Sequence, residues 1–192
     1  MAAHATKETT VLITDLDQYK ATPVDAGYPT TRRTFYSPED DVHGALVHIL
    51  QSCTKSCVLS MYGWTDVELA GLVDHLLDNH AVYCQITLDS SQYSGKTEHA
   101  ALELFKDNLD SNVIGIGRSE RGEIIHRKML IIDGVWTITG STNWSLNGET
   151  KQDNEMTVTN DPSVAAEARR ILDLSHAKAL TDMHRKMKAG AA

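Results

Sequence analysis

An α/β domain, a mixed β-sheet flanked by helices, is the fold class this sequence predicts, and three observations predict it. Short apolar runs of strand character alternate with longer stripes at helical spacing. Asp133-Gly134 between apolar Ile131-Ile132 and Val135 marks a tight hairpin within that alternation. The chain has 192 residues, 41% of them hydrophobic and 23% charged, enough for one domain with one sizeable core. No internal repeat, low-complexity tract or linker divides it.

Residues 1–31 read as an N-terminal extension, with a short strand at 11–13 and loop at Thr22-Pro23 and Gly27-Tyr28-Pro29. Residues 32–192 read as a single domain. A strand over 33–36 leads to Ser37-Pro38, an N-cap with proline in the first turn, and Val42, Ala45, Leu46, Ile49 and Leu50 follow at helical spacing. A strand over 58–62 precedes Thr65 and Glu68, a capping box for a helix carrying Leu69, Leu72, Val73, Leu76 and Leu77. Val82, Cys84, Ile86 and Leu88 alternate as a third strand. Residues 89–96 are polar and turn-rich, Ala101, Leu104 and Phe105 suggest a third helix, and 113–116 a fourth strand. After the hairpin, 156–159 forms one more strand. Asp161-Pro162 caps a final helix whose inner side carries Val164, Ala168, Ile171, Leu172 and Ser175.

Composition sets limits on function. The longest apolar runs are too short to span a bilayer, and the first twenty residues lack the basic and apolar regions of a secretory signal. Cys53, Cys57 and Cys84 are an odd count that builds no disulfide framework, so a reducing cytoplasm is the expected compartment. The formal net charge of −8 does not favour a nucleic-acid partner, which ordinarily meets a basic surface. Around residues 118–155, however, Arg118, Arg121, Arg127, Lys128 and Lys151 mix with Glu120, Glu123, Glu149 and Asp153, and charge leaves the substrate open.

Chemistry concentrates in residues 126–155, HRKMLIIDGVWTITGSTNWSLNGETKQDNE. His126 and Lys128, two apart on a strand, share a face. If Asp133 and Gly134 alone form the turn, Ile132 pairs with Val135, His126 lies opposite Ser141 and Lys128 opposite Thr139. One hairpin then aims an imidazole, an ammonium, a hydroxyl and the Asn143 amide into one space, and a one-residue slip would scatter them. Asp133, at the turn, lies about 20 Å along the strand from His126, too far for chemistry, so it is assigned to holding the turn with Gly134.

Other patterns carry less. Cys53-x3-Cys57 with His75-x4-His80 has a gap too long for a zinc finger. The run VLITDLD resembles the nucleophile loop of haloacid dehalogenases but continues with Gln18 in place of Thr or Val. His184-Arg185-Lys186 repeats the start of the motif without the residues that follow it.

The spacing His126-x-Lys128-x4-Asp133, followed by Gly140-Ser141-x-Asn143 and Glu155, resembles the HKD signature of the phospholipase D superfamily. The resemblance in residues covers 126–155; over 33–125 it is one of element order. It implies the phospholipase D-like layered fold and a metal-independent, two-step phosphodiester hydrolysis without cofactor. In that reaction His126 is the nucleophile forming a phosphohistidine, and Lys128, Ser141 and Asn143 hold the anionic oxygens. Glu155 orients the imidazole, as a triad carboxylate does. The family's site uses two such motifs and this chain carries one, so a homodimer pairing His126 with its symmetry mate is implied. Small single-motif members are endonucleases, which favours DNA or RNA as substrate. A lipid phosphodiesterase, with Tyr62, Trp64 and Trp144 lining an apolar mouth, and a non-cleaving nucleic-acid-binding module stay open beside it. No group of carboxylates near the motif reads as a metal cage.

Overall fold

The computed structural model describes residues 11–93, 103–109, 112–118 and 123–190. Seven strands form one mixed sheet: β1 (Arg32–Ser37), β2 (Ser56–Met61), β3 (Tyr83–Asp89), β4 (Ile114–Gly117), β5 (Lys128–Ile132), β6 (Trp136–Gly140) and β7 (Asn154–Thr159). Their order is β1-β7-β6-β5-β2-β3-β4. β2, β3 and β4 run parallel, and every other pairing is antiparallel. In the centre, Cys57 to Met61 of β2 are all buried, as expected where both faces of a sheet are covered.

Helices α1 (Val42–Gln51) and α2 (Val67–Asp78) cover one face. Val42, Ala45, Leu46, Ile49 and Leu50 of α1 and Leu69, Ala70, Val73 and Leu76 of α2 are buried, so the predicted stripes face the core. The caps differ from expectation. Asp41, not Ser37, caps α1 by accepting from Gly44 N, and Asp66, not Thr65, caps α2 by accepting from Leu69 N. Ser37 belongs to the end of β1, and Thr65 N donates to Trp144 O.

The N-terminal stretch also differs. The expected strand at 11–13 is replaced by a 3₁₀ turn, Ile13–Tyr19, that buries Ile13 and Leu16 in the core. Each contributes about 1.5–3 kcal/mol on burial, and Asp17 pairs with Arg33 of β1. This segment therefore packs with the domain. Asp15 and Asp17 act there as local partners. The turn-rich 89–96 region contains a short helix, Ser90–Tyr93. Most of the expected third helix lies outside the described residues, but its Phe105 is fully buried, its ring 5.1 Å from that of Trp64.

The C-terminal helix Pro162–Gly190 covers the other face. Asp161 Oδ1 accepts from Ser163 N at its start. Its inner side is Ala165, Ala168, Leu172, His176 and Ala179, while Val164 and Ile171 are 40% and 46% exposed. Close approach decides this rotation. A Cβ on Gly117 would lie 2.6 Å from Ala179 Cα, so small residues must face β4. His176, which has no partner pattern in the sequence, is buried between Thr87 Oγ1 and Asn112 O.

Candidate active site

The β5–β6 hairpin carries the motif, with one correction to its register. Asp133 and Gly134 adopt left-handed φ of 55° and 70°, and Val135 N donates to Ile132 O, as in a two-residue turn. Yet the ladder pairs Ile132 with Trp136 and Met129 with Thr139, leaving Val135 as an extra residue. Thr139 is thus not opposite Lys128, and the ladder does not set Ser141 opposite His126. The sheet ends first: β5 begins at Lys128 and β6 ends at Gly140. His126 and Ser141–Asn143 lie beyond it and are placed by other contacts.

Two contacts place His126. Asp89, fully buried at the end of β3, accepts from Ile125 N at 2.6 Å. Met61 pairs with Lys128, so Tyr62 leaves β2 where His126 enters β5, and their ring centroids lie 4.6 Å apart. Lys128 Nζ lies 3.1 Å from both Nε2 and the carbonyl of His126, and 5.0 Å from the Tyr62 ring centroid. His126 is exposed, whereas Lys128 is buried. Burial holds the Lys128 pKa below that of a free lysine because desolvation disfavours its charge.

Among the described residues, Ser141, Asn143 and Glu155 make no side-chain hydrogen bond to this pair. Ser141 Oγ donates to Asn154 Oδ1 at 2.8 Å and accepts from Glu155 N at 3.1 Å. Asn143 Oδ1 accepts from Gly63 N at 3.2 Å, tying the Gly-Ser-x-Asn turn to the segment after β2. Gly140 permits this arrangement, since a Cβ there would lie 2.1 Å from Glu155 O. Glu155 lines a small pocket with Lys128, Gly140 and Thr142. Among the described residues no hydrogen bond joins its carboxylate to His126.

Asp133 sits at the far end of the hairpin. Its carboxylate accepts from the backbone N of Thr54, Lys55 and Ser56 and from Thr54 Oγ1. Burial pushes its pKa up, but these donors outweigh burial and hold it below the usual carboxylate range.

An open groove of about 460 Å³ is lined by Arg118, Ile124, Ile125, His126 and Arg127, and Arg127 Nη1 lies 3.4 Å from Ser175 Oγ of the last helix. Arg118 pairs with Glu123 at 2.9 Å; Glu120 and Arg121 lie outside the described residues. Trp64 and Trp144 are not at a mouth. They pack edge to face in the core, 2% and 3% exposed, and only Tyr62 of the three aromatics reaches His126. Among the described residues, Cys53, Cys57, His75 and His80 do not converge as ligands. Apart from His126 and Lys128, Glu149 and Asp66 converge on His43, a grouping that the sequence pattern does not single out.

Tyr62 and Asp89 carry no motif that would single them out for placing His126. Their weak signal was position alone, at the ends of two apolar strand runs.

A family model described as cardiolipin synthase, PLD-like domain, matches residues 46–174. Among solved structures, a phospholipase D family member, Nuc from Salmonella typhimurium, superposes with a TM-score of 0.67. It is 21% identical over 77% of this chain and 95% of its own. NucT from Helicobacter pylori gives a TM-score of 0.63 at 16% identity, covering 77% of this chain and 96% of that one. TrmBL2, an archaeal chromatin protein with a novel mode of DNA binding, gives 0.53 at 13% identity over 78% of this chain and 53% of its own. No curated protein matches the sequence. The family match sets the class: members of the PLD-like superfamily are phosphodiester-processing enzymes. The chain belongs to the phospholipase D superfamily, in its PLD-like domain family.

Proposed function

We propose that this protein is a metal-independent endonuclease that hydrolyses DNA or RNA through a phosphohistidine at His126, its site completed by a second copy of the chain. The observation that carries the reading is the exposed His126 imidazole, 3.1 Å from the buried Lys128 ammonium, in a groove whose lining includes Arg118 and Arg127. A phosphodiester entering this groove meets the Lys128 ammonium beside the nucleophile and two arginines among the lining residues. Lys128 donates to Nε2 in the free protein, which leaves the proton on Nδ1. When phosphate arrives, Lys128 turns to a non-bridging oxygen and frees the Nε2 lone pair for phosphorus. The P–N bond forms as the P–O bond to the leaving group breaks. The leaving oxygen takes a proton from His126 of the second copy, which then deprotonates the water that cleaves the phosphohistidine. Ser141 and Asn143 hold the turn beside the oxygens. Glu155 is assigned to the Nδ1–H side, which requires its carboxylate to swing out of the Lys128 pocket.

The nucleic-acid substrate rests on the resemblance to small single-motif nucleases and on the arginines lining the groove. The family description, cardiolipin synthase, and the net charge of −8 favour a lipid phosphodiester as the second reading. One incubation series in EDTA decides. Wild type and His126→Ala are given single-stranded DNA, duplex DNA, RNA and phosphatidylcholine vesicles. Cleavage of nucleic acid by wild type alone is the expected result. Lipid turnover alone moves the protein to the second reading, and cleavage retained by His126→Ala removes the nucleophile.

A further inference from the structure

Away from His126, one imidazole and three carboxylates meet where α1, α2 and the short helix Leu146–Thr150 converge. His43 Nδ1 lies 2.7 Å from Glu149 Oε2 and 3.3 Å from Asp66 Oδ2, and its Nε2 lies 3.1 Å from Glu68 Oε2. One ligand atom from each of His43, Asp66 and Glu149 falls within 4.8 Å of the others. Glu149 is only 2% exposed. Its Oε2 meets His43, and its Oε1 is buried with no hydrogen-bond partner among the described residues. A buried carboxylate oxygen without a donor is costly unless a cation takes it.

We propose that His43, Asp66 and Glu149 form a divalent-cation site, with Glu68 accepting from the far ring nitrogen of His43 and orienting Nδ1 toward the ion. Two ligand atoms in a tetrahedral zinc site, each about 2.1 Å from the ion, stand about 3.4 Å apart. The 3.3 Å between His43 and Asp66 already matches that spacing, and the shorter His43–Glu149 contact opens to it when an ion replaces the hydrogen bond. One imidazole with carboxylates suits zinc, cobalt or manganese better than magnesium, which prefers oxygen and water.

The ion's place suggests a bracing role. Thr65 N and Asp66 N both donate to Trp144 O, Trp144 N donates to Gly63 O, and Glu149 N donates to Ser145 O. A cation on this cluster would cross-link α1, the start of α2 and the short helix that follows the Asn143 turn. Among the described residues the cluster makes no hydrogen bond to His126 or Lys128, so no chemical step passes through it.

The test uses the full chain without a histidine tag, stripped with chelator, freed of it and titrated with Co²⁺ and then Zn²⁺ in the absence of substrate. Wild type is expected to take up one equivalent of Co²⁺ with the visible bands of nitrogen and oxygen ligation, and Zn²⁺ to displace it. Zinc at a hundred times its Kd is expected to raise Tm by about 5–10 °C. Glu149→Gln and His43→Gln are expected to bind at least tenfold more weakly, and His126→Ala as wild type does. The cobalt spectrum of wild type keeps the proposal testable should either variant fail to fold. No uptake, a thiolate charge-transfer band from Cys53, Cys57 or Cys84, or unchanged affinity in a folded Glu149→Gln would each overturn it.

Discussion

Lys128 Nζ stands 3.1 Å from Nε2 of His126, and an ammonium can only donate in such a contact. The contact selects the Nδ1–H tautomer and keeps the Nε2 lone pair on the Lys128 ammonium in the free protein. In the proposed reaction it places the charge that a phosphate needs beside the attacking atom.

Replacing that charge is expected to cost rate and not fold. Lys128→Met should lower kcat by about 10²–10³, with a thermal melt no less stable than wild type because a buried ammonium is removed. Burial lowers the Lys128 pKa, so the ammonium is lost at lower pH than in free lysine. The alkaline limb of the kcat/KM profile should therefore fall below about 10.4 in wild type. A limb at or above that value would contradict the burial argument.

Tyr62 holds the His126 ring face and also lies near Lys128. Tyr62→Leu is expected to reduce kcat/KM about tenfold, through an imidazole that samples unproductive orientations. Urea melts should move little, since Tyr62 is only half-buried. Steady-state kinetics on a short oligonucleotide beside the melts would separate the two effects.

Asp133 is expected to matter for stability. Asp133→Asn leaves the donors of Thr54, Lys55 and Ser56 facing a neutral amide and should destabilise by about 1–3 kcal/mol. The folded pKa of Asp133 is depressed. Its contribution is thus present above the unfolded value of about 3.9 and is lost as pH falls through the folded one. Denaturation midpoints between neutral pH and the acid range should fall less steeply in Asp133→Asn than in wild type. Parallel curves would refute the assignment.

A shared site has a signature in mixtures. If each reaction needs His126 from both copies, re-associating wild type with an equal amount of His126→Ala should leave about a quarter of the wild-type activity, where independent sites leave about half. Activity that tracks the wild-type fraction linearly would remove the composite site.

The sequence by itself made the α/β layering, the strand and helix stripes and the motif legible, because these depend on local periodicity and on residue types at fixed spacing. His126 and Lys128, two residues apart, could be read as one face from the chain alone. The tertiary structure decided the rest. Helix caps moved from Ser37 to Asp41 and from Thr65 to Asp66, because the earlier residues were claimed by neighbouring backbone. The extra residue Val135 shifted the register, which no local rule forces on an Asp-Gly turn. The inward side of the last helix was set by how closely Ala179 meets Gly117, a contact between residues far apart in sequence. The same holds for Tyr62 and Asp89 against His126, and for His43 against Glu149. Spacing along the chain fixes only what neighbours share, and contacts between distant segments exist only once the sheet has brought them together.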